Sequence, residues 1–385
     1  MITVAHAGDD ARIVHRQVRS LVEASHCVTL LAPEPKSGRS QDPEGLERIA
    51  VRRAVARSRL AAWLDARRKL RRFRRSVDLV LVHDPELLPI VGLMRWTKAT
   101  LVWDVHEDFA SSVSDREWIP PKLRPLVARL VRLAERLVQR RFHVLVAESS
   151  YQSRFPGSPV VPNSTWIPDE VNTARRADQI VYVGRISLGR GVLNLLAVAE
   201  ELRRRKGPRL VLVGPVDSDT EELIVDATCS GLLDWRGSIP NPEAMSIVSE
   251  SVAGLSLLAN LPNYVHSRPT KVIEYMAHGT PVITTPLPLA SEMITKSGSG
   301  VVTSAFDGPD LVRDVVDAVM AFASSPALRH EHGLAGWRFV HDHFSWNVDG
   351  LVFVKLIEEL ANRRSNDARH SERTSRRGVN HSSQS

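Results

Sequence analysis

Over the first 150 residues, short β-branched runs alternate with stretches whose apolar residues recur every three or four positions. Ile2–His6, Cys27–Ala32, Val77–His83, Ala99–Val105 and Phe142–Ala147 read as strands. Ile13–Ala24 reads as a helix, as does Lys122–Arg141, where Leu123, Leu126, Val127, Leu130, Leu133, Ala134 and Leu137 keep helical spacing after Pro120 and Pro121. Strands alternating with helices predict a parallel sheet covered by helices. Between Phe155 and Asp178 the pattern breaks into a connector holding Pro156, Pro159, Pro162 and Pro168. A second series follows, with strands at Gln179–Val183, Leu210–Gly214, Leu233–Arg236, Gly254–Leu258, Val282–Thr285 and Val301–Thr303. A closing helical pattern after Ser345 uses Val348, Leu351, Val352, Leu356 and Leu360. Beyond Ala361 almost nothing is apolar, which predicts a disordered basic tail over 363–385. The expected fold is α/β: two doubly wound, Rossmann-like lobes spanning 1–165 and 166–343, with a cleft at their facing strand ends, and a helix over 344–362 that packs back on the first lobe.

A chain of 385 residues has the length of two ordinary domains. No run reaches the roughly 18 apolar residues that crossing a bilayer needs, and Met1 leads straight into a strand-like run rather than a signal peptide. A cytoplasmic protein is expected. Cys27 and Cys229 lie far apart among apolar neighbours, which predicts two reduced core thiols rather than a disulfide or a metal site. The net charge of +7 is unevenly placed: Arg48–Arg75 holds twelve basic residues against one acid, Asp65. Val51, Val55, Leu60, Trp63, Leu64, Leu70 and Phe73 interleave with them. The stretch reads as one or two basic amphipathic helices, which suit an anionic membrane surface at the inner face, at about 1 kcal/mol per nearby cation. It suits a solvated helix face over the core somewhat better, because arginine stems cover apolar surface well. No nucleic-acid-binding motif accompanies the charge, so no nucleic-acid partner is expected.

The richest chemistry lies in Arg268–Thr285. Pro269 and Thr270 suit a helix start with Thr270 as N-cap, and Gly279 suits its stop. A helix N-terminus beside Lys271 attracts phosphate, and Glu274, one turn on, can accept hydrogen bonds from a ribose diol. The turn Val183–Gly191 brings Gly184, Arg185 and Arg190 between a strand and a helix, where guanidinium forks can neutralise a diphosphate. By itself that turn reads equally as a tight loop with solvated arginines. In the first half, His83 and His106 each end a strand and are followed by Asp84 and Glu107. Strand ends at a cleft suit ligand-orienting groups, and His106 could hydrogen-bond a sugar or polarise a hydroxyl. Gly8, Asp9, Asp10 and Arg12 follow the first strand, as either a binding loop or an ordinary surface loop. No pair of carboxylates shows the spacing that a hydrolytic glycosidase needs.

Taken in order, Gly184-Arg185, Arg190-Gly191 and Glu274–Val282 resemble the family-4 retaining glycosyltransferases of the GT-B fold, whose members carry a Gly-Arg turn, a Lys-Gly and then Glu-(Ala or Tyr)-Met-Ala-x-Gly-x-Pro-Val. Asp10–Ile13, His83–Leu88 and Asp104–Asp108 are similar to acceptor-side segments of bacterial members that build surface polysaccharides or decorate small molecules. The resemblance spans about residues 1–360. It implies a metal-independent transfer, with no cofactor, of a sugar from a UDP-, GDP- or TDP-linked donor. The acceptor would be a glycan, a lipid-linked saccharide or a small-molecule hydroxyl, and anomeric configuration would be retained. By the same resemblance, Arg185 and Arg190 hold the diphosphate after Gly184, and Glu274 binds ribose. The backbone around Thr270 and Lys271 caps the distal phosphate, and Gly237 and Ile239 lie nearest the base. His106 serves the reacting centre, with Gly8, Asp9, Arg12, His83, Asp84 and Glu107 on the acceptor side. Arg190 stands where lysine is commoner, which keeps the charge and changes its geometry. His266 stands where many members have a glutamate that contacts the donor sugar, although a subgroup with a similar Pro-Thr-Lys-x-x-Glu-Tyr segment also lacks it. Two other outcomes stay open. One is a catalytically silent membrane-associated assembly protein of the same fold; the other is a sugar-nucleotide epimerase.

Overall fold

The structure is a computed structural model and describes residues 1–35, 42–55, 58–106, 124–171, 178–265 and 268–379. The chain divides into two compact units. The first comprises Met1–Pro35, Asp42–Asn163 and the chain from Val348 onward, and the second comprises Ser164–Asn347.

In the first unit the strands are β1 (Thr29–Ala32), β2 (Glu47–Ala50), β3 (Leu79–Val82), β4 (Thr100–Val105) and β5 (His143–Val146), all parallel. Ile2 bridges both β1 and β3, so it takes the central place in the order β2-β1-Ile2-β3-β4-β5. The expected strand Ile2–His6 is cut short because the buried carboxylate of Asp84 captures its backbone. Asp84 accepts from the Thr3 hydroxyl at 3.0 Å, the Val4 amide at 2.5 Å and the Ala5 amide at 3.1 Å. The following helix begins earlier than its apolar pattern, at Ala11. Asp10 caps it through the Arg12 and Ile13 amides, and it is π-wound over Ala11–Val18 before continuing as Arg19–Glu23.

The basic stretch is part strand and part helix. Its start pairs as β2, and Arg59–Leu70 is the helix that lays Ala62, Ala66 and Leu70 on the core. Short alanines suffice there, which leaves Leu60, Leu64 and Val55 facing outward at 63%, 57% and 57% exposure. Cys27 and Cys229 are exposed free thiols rather than core residues, each standing at the edge of an element rather than on its inward face.

In the second unit six parallel strands run β11-β10-β9-β6-β7-β8: β6 (Gln179–Val183), β7 (Arg209–Val213), β8 (Leu233–Trp235), β9 (Gly254–Ser256), β10 (Val282–Thr284) and β11 (Gly300–Val302). Numbered within the unit this is 3-2-1-4-5-6, the doubly wound dinucleotide-fold order, whose switch point lies between β6 and β9. Side chains alternate across the sheet. Ile180, Tyr182, Leu210 and Leu212 meet the helices Val192–Arg204 and Gly308–Ser324. Val181, Val211 and Val213 meet Val248, Val272, Ile273, Met276 and Val340 on the other face.

The last helix, Trp346–Val379, buries Phe353, Ile357 and Leu360. Val348, Leu351 and Val352, expected on its packed face, are instead 57–73% exposed, because the buried row is offset by one position around the helix. The helix also continues past 363, where composition predicts a disordered tail. Arginine and glutamate are good helix formers once a helix is already nucleated upstream. Among the described residues no helix is long and apolar enough to cross a membrane.

Candidate functional site

In the second unit the sequence motifs converge at the carboxyl end of β6, at the switch point. Gly184 ends the strand at φ 128°, and a Cβ there would stand 3.6 Å from Lys271 Nζ and 3.7 Å from the Arg190 guanidinium. Gly191, at φ 82°, lies against β9's continuation so closely that a Cβ would come within 2.0 Å of the Leu257 carbonyl oxygen. Glycine at these two places lets the turn fold back over the strand ends.

Lys271 is the central group. It is 6% exposed, sits 3.7 Å above the centre of the Tyr182 ring, and its Nζ has no hydrogen-bond partner among the described residues. Burial and then the charge of Arg190 push its pKa well below the usual lysine value, with Glu274 opposing. Burial raises the Tyr182 phenol, against the charge and hydrogen bond of Arg190. Glu274, 7% exposed, is one turn further along the helix Thr270–Ala277 and within electrostatic reach of Lys271. The buried Lys271, the half-buried Arg190, the Glu274 carboxylate and a helix start thus lie together. An anion placed there would favour the charged form of the amine and supply the hydrogen-bond partner it lacks among the described residues.

Other expected residues are placed differently. Thr270 is the first helical residue rather than the N-cap. Pro269 holds the cap position without a side-chain bond, since its own fixed backbone suffices to start the turn. Arg185 is 60% exposed and pairs with Asp217 at 2.5 Å. Gly237 adopts φ 65°, passes its carbonyl to the Gly214 amide at 2.8 Å, and has open space beside its Cα. Ile239 packs on the core. Tyr275 pins β6 to β9 by accepting from the Val183 amide at 2.8 Å and donating to the Leu255 carbonyl at 3.3 Å. His266 lies outside the described residues.

The first unit has its own cluster, again at strand carboxyl ends. Asp104, fully buried, receives Arg12 through Nε at 2.9 Å and Nη2 at 2.7 Å, and Gln17 at 2.8 Å. Arg12 also donates to the Val161 and Pro162 carbonyls and to the Asn163 side chain, so its guanidinium is committed to holding this unit together. Burial alone would raise Asp104, but the charge and hydrogen bonds of Arg12 hold its carboxyl well below the usual range. Asp84 is likewise committed, to the Thr3–Ala5 backbone. His83 is buried, and both its ring nitrogens lack a hydrogen-bond partner among the described residues; Nδ1 lies 3.4 Å from Asp104, poorly aligned. His106 stands beside it, with ring centres 5.9 Å apart. His83, Asp104 and His106 offer ligand atoms within 4.8 Å of one another, but the Arg12 guanidinium already occupies Asp104, which disfavours a second cation. Gly8 is buried, where a Cβ would lie 2.0 Å from the Pro33 carbonyl, and Asp9 is half-buried. Glu107 lies outside the described residues.

Sequence reasoning missed Tyr182, which lies within a strand and carries no motif. It also missed His6, whose position beside a strand end is the same signal that singled out His83 and His106.

The model of the family described as glycosyl transferases group 1 matches residues 177–321, and that of the glycosyl transferase 4-like domain matches residues 11–155. No curated protein matches the chain significantly. Among solved structures the fold is similar to a sucrose-phosphate synthase from Thermosynechococcus elongatus (17% identity, TM-score 0.63), with 89% of this chain and 91% of that one covered. It is similar also to WaaG, a glycosyltransferase involved in lipopolysaccharide biosynthesis (14% identity, TM-score 0.61, 91% and 96% covered). HepE of Anabaena, solved in complex with UDP, matches at 13% identity and TM-score 0.56, with 93% and 99% covered. With a glycosyl transferases group 1 half, a glycosyl transferase 4-like half and two Rossmann-like lobes, the chain belongs to the group 1, family-4-like glycosyltransferases of the GT-B fold.

Proposed function

We propose that this glycosyltransferase transfers a sugar, with retention and without a metal, from a nucleoside diphosphate donor held by the second unit to a hydroxyl acceptor at the first. The observation that carries this reading is the buried Lys271 amine, without a hydrogen-bond partner among the described residues, beside Gly184 and Arg190 at the switch point, with Glu274 one turn away. The diphosphate lies against Lys271 and Arg190, where charge developing on the leaving phosphate is neutralised. Glu274 receives the ribose hydroxyls, and the open space beside Gly237 takes the base. Among the sequence-expected phosphate ligands, Arg185 requires release from Asp217 before it can contribute.

The test is a thermal-shift screen against UDP, GDP, TDP and their sugars, on wild type, Arg190→Ala and Glu274→Ala. A ligand at 100 times its Kd stabilises by about 2.7 kcal/mol. One nucleotide series is expected to stabilise the wild type, and both variants are expected to lose the response. No response, or an unchanged response in the variants, removes the donor site and favours a silent assembly protein.

A lipid-linked acceptor is supported by the helix Arg59–Leu70, whose outward Leu60 and Leu64 are flanked by Arg67, Arg68 and Arg71. Cosedimentation with vesicles containing anionic phospholipid is expected, with none on neutral vesicles. A Leu60→Glu/Leu64→Glu variant is expected to lose it, whereas equal binding of wild type and variant would remove the membrane from the reading.

A further inference from the structure

His6 stands apart from every residue that the motifs mark, yet it makes the closest side-chain contact to His106. Its Nε2 lies 3.1 Å from Nε2 of His106, and the rings are 4.7 Å apart at 49°. Proton counting orients this contact. His106 Nδ1 is 3.2 Å from the Asp104 backbone oxygen, and a carbonyl oxygen only accepts. His106 Nδ1 therefore carries a hydrogen. Burial, against the opposing charge of Asp104, pushes the His106 pKa down to about 3, so the ring is neutral at working pH and its Nε2 is a bare lone pair. Two bare lone pairs do not sit 3.1 Å apart, so the hydrogen between the rings belongs to His6.

Two carboxylates flank the His6 ring. Asp84 Oδ1 is 3.3 Å from its Nε2 and Asp10 Oδ2 is 3.8 Å from its Nδ1. Asp10 spends its other oxygen capping the Arg12 and Ile13 amides, and Asp84 spends its other oxygen on Thr3, Val4 and Ala5, so Asp84 Oδ1 shares the edge of the His6 Nε2–H with His106. Among the described residues, the further charged and titratable groups acting on Asp10 and His106 are Arg12 and Arg16 on the helix beginning at Ala11, His83 after β3, and Asp104 in β4.

We propose that His6 is a positioning residue for His106: its Nε2–H donates to the His106 lone pair and fixes that ring in the Nδ1–H form. The His106 ring is thereby held in one tautomer and one orientation at the carboxyl ends of the first unit's strands. This rests on the reading of the first unit as the acceptor side.

The deciding measurement uses full-length protein carrying 15N-histidine, with two-bond imidazole spectra recorded from pH 5 to 9 and His106 assigned by its loss in His106→Gln. Wild-type His106 is expected in the Nδ1–H form throughout. In His6→Ala its tautomer signature is expected to become mixed, and in His6→Gln, whose amide N–H reaches the same place, the Nδ1–H form is expected to return. A wild-type His106 protonated on Nε2, or a signature unchanged in His6→Ala, overturns the proposal. Should His6→Ala fail to fold, the wild-type tautomer and His6→Gln still decide. In transfer assays His6→Ala is expected to lower kcat by about 2- to 10-fold, the worth of one neutral hydrogen bond, with donor KM unchanged. His6→Gln recovers most of that loss, and failure to recover it counts against the proposal. Nucleotide stabilisation of the second unit is read in the same samples. Its absence defeats the donor reading and leaves the tautomer result standing by itself.

Discussion

Lys271→Met is expected to move stability and binding in opposite directions. The amine it removes is buried against the Tyr182 ring without a hydrogen-bond partner among the described residues, a state that costs about 1–3 kcal/mol. Methionine keeps the volume and removes the polar group, so the ligand-free protein should melt higher, by about 2–4 °C per kcal/mol for a unit of this size. Nucleoside diphosphate affinity should fall by about 10- to 100-fold, the loss of one charge-assisted contact. Differential scanning calorimetry with and without nucleotide reads both. A lower melting point in the absence of ligand would show that the amine is already satisfied.

The same lysine links binding to pH. Its folded pKa is depressed, so between that value and the ordinary lysine value near about 10.4 the unfolded chain holds a proton that the folded chain has released. Stability of the ligand-free protein therefore rises with pH across that window. A bound diphosphate restores the charge, so binding takes up a proton and weakens as pH rises. Calorimetric titrations in buffers of different ionisation enthalpy are expected to report this uptake, and Lys271→Met is expected to abolish it.

Arg12→Met carries the largest expected loss of stability. It leaves the fully buried Asp104 carboxylate with Gln17 as its remaining hydrogen-bonded side-chain donor among the described residues, and breaking a buried pair by removing one partner costs about 3–5 kcal/mol. Urea unfolding followed on the first unit should show the drop, and Arg12→Met/Asp104→Leu should recover much of it, since the stranded charge is then gone as well. The Asp104 carboxyl is depressed in the folded protein, so the stability it contributes is present above the ordinary carboxyl pKa and is lost as pH falls below it. The gap between wild type and Arg12→Met should accordingly narrow on acidification. An unchanged midpoint in the single variant would mean that Asp104 is carried by other groups.

Much of the fold was legible because period-two and period-three-to-four patterns are local properties of a chain that must bury one face of each element. Gln179–Val183 was read to the residue, and ten of the eleven strands were placed from apolar runs alone, Ile2–His6 being an extra. The misses have tertiary causes. Glu47–Ala50 carries only two apolar residues and is a strand because β1 offers it a free edge. Ile2–His6 reads as a strand, but Asp84, eighty residues away, takes its amides. In the last helix the heptad-like row Val348, Leu351 and Val352 was as apolar as the row that is buried, and only packing chose between them.

For the site, local chemistry already marks which residue types could meet a diphosphate: the Gly184–Gly191 turn and the Lys271–Glu274 segment are strand-to-helix and helix-start patterns legible without the fold. Tertiary structure decided which of them converge. It brought Lys271, Arg190 and Gly184 together and paired Arg185 with Asp217. It also turned Arg12 and Asp84 from expected ligand contacts into internal braces, because a buried carboxylate must find donors wherever the fold supplies them. The His6–His106 contact joins residues one hundred positions apart, and its proton order follows from a backbone carbonyl that no pattern of side chains encodes.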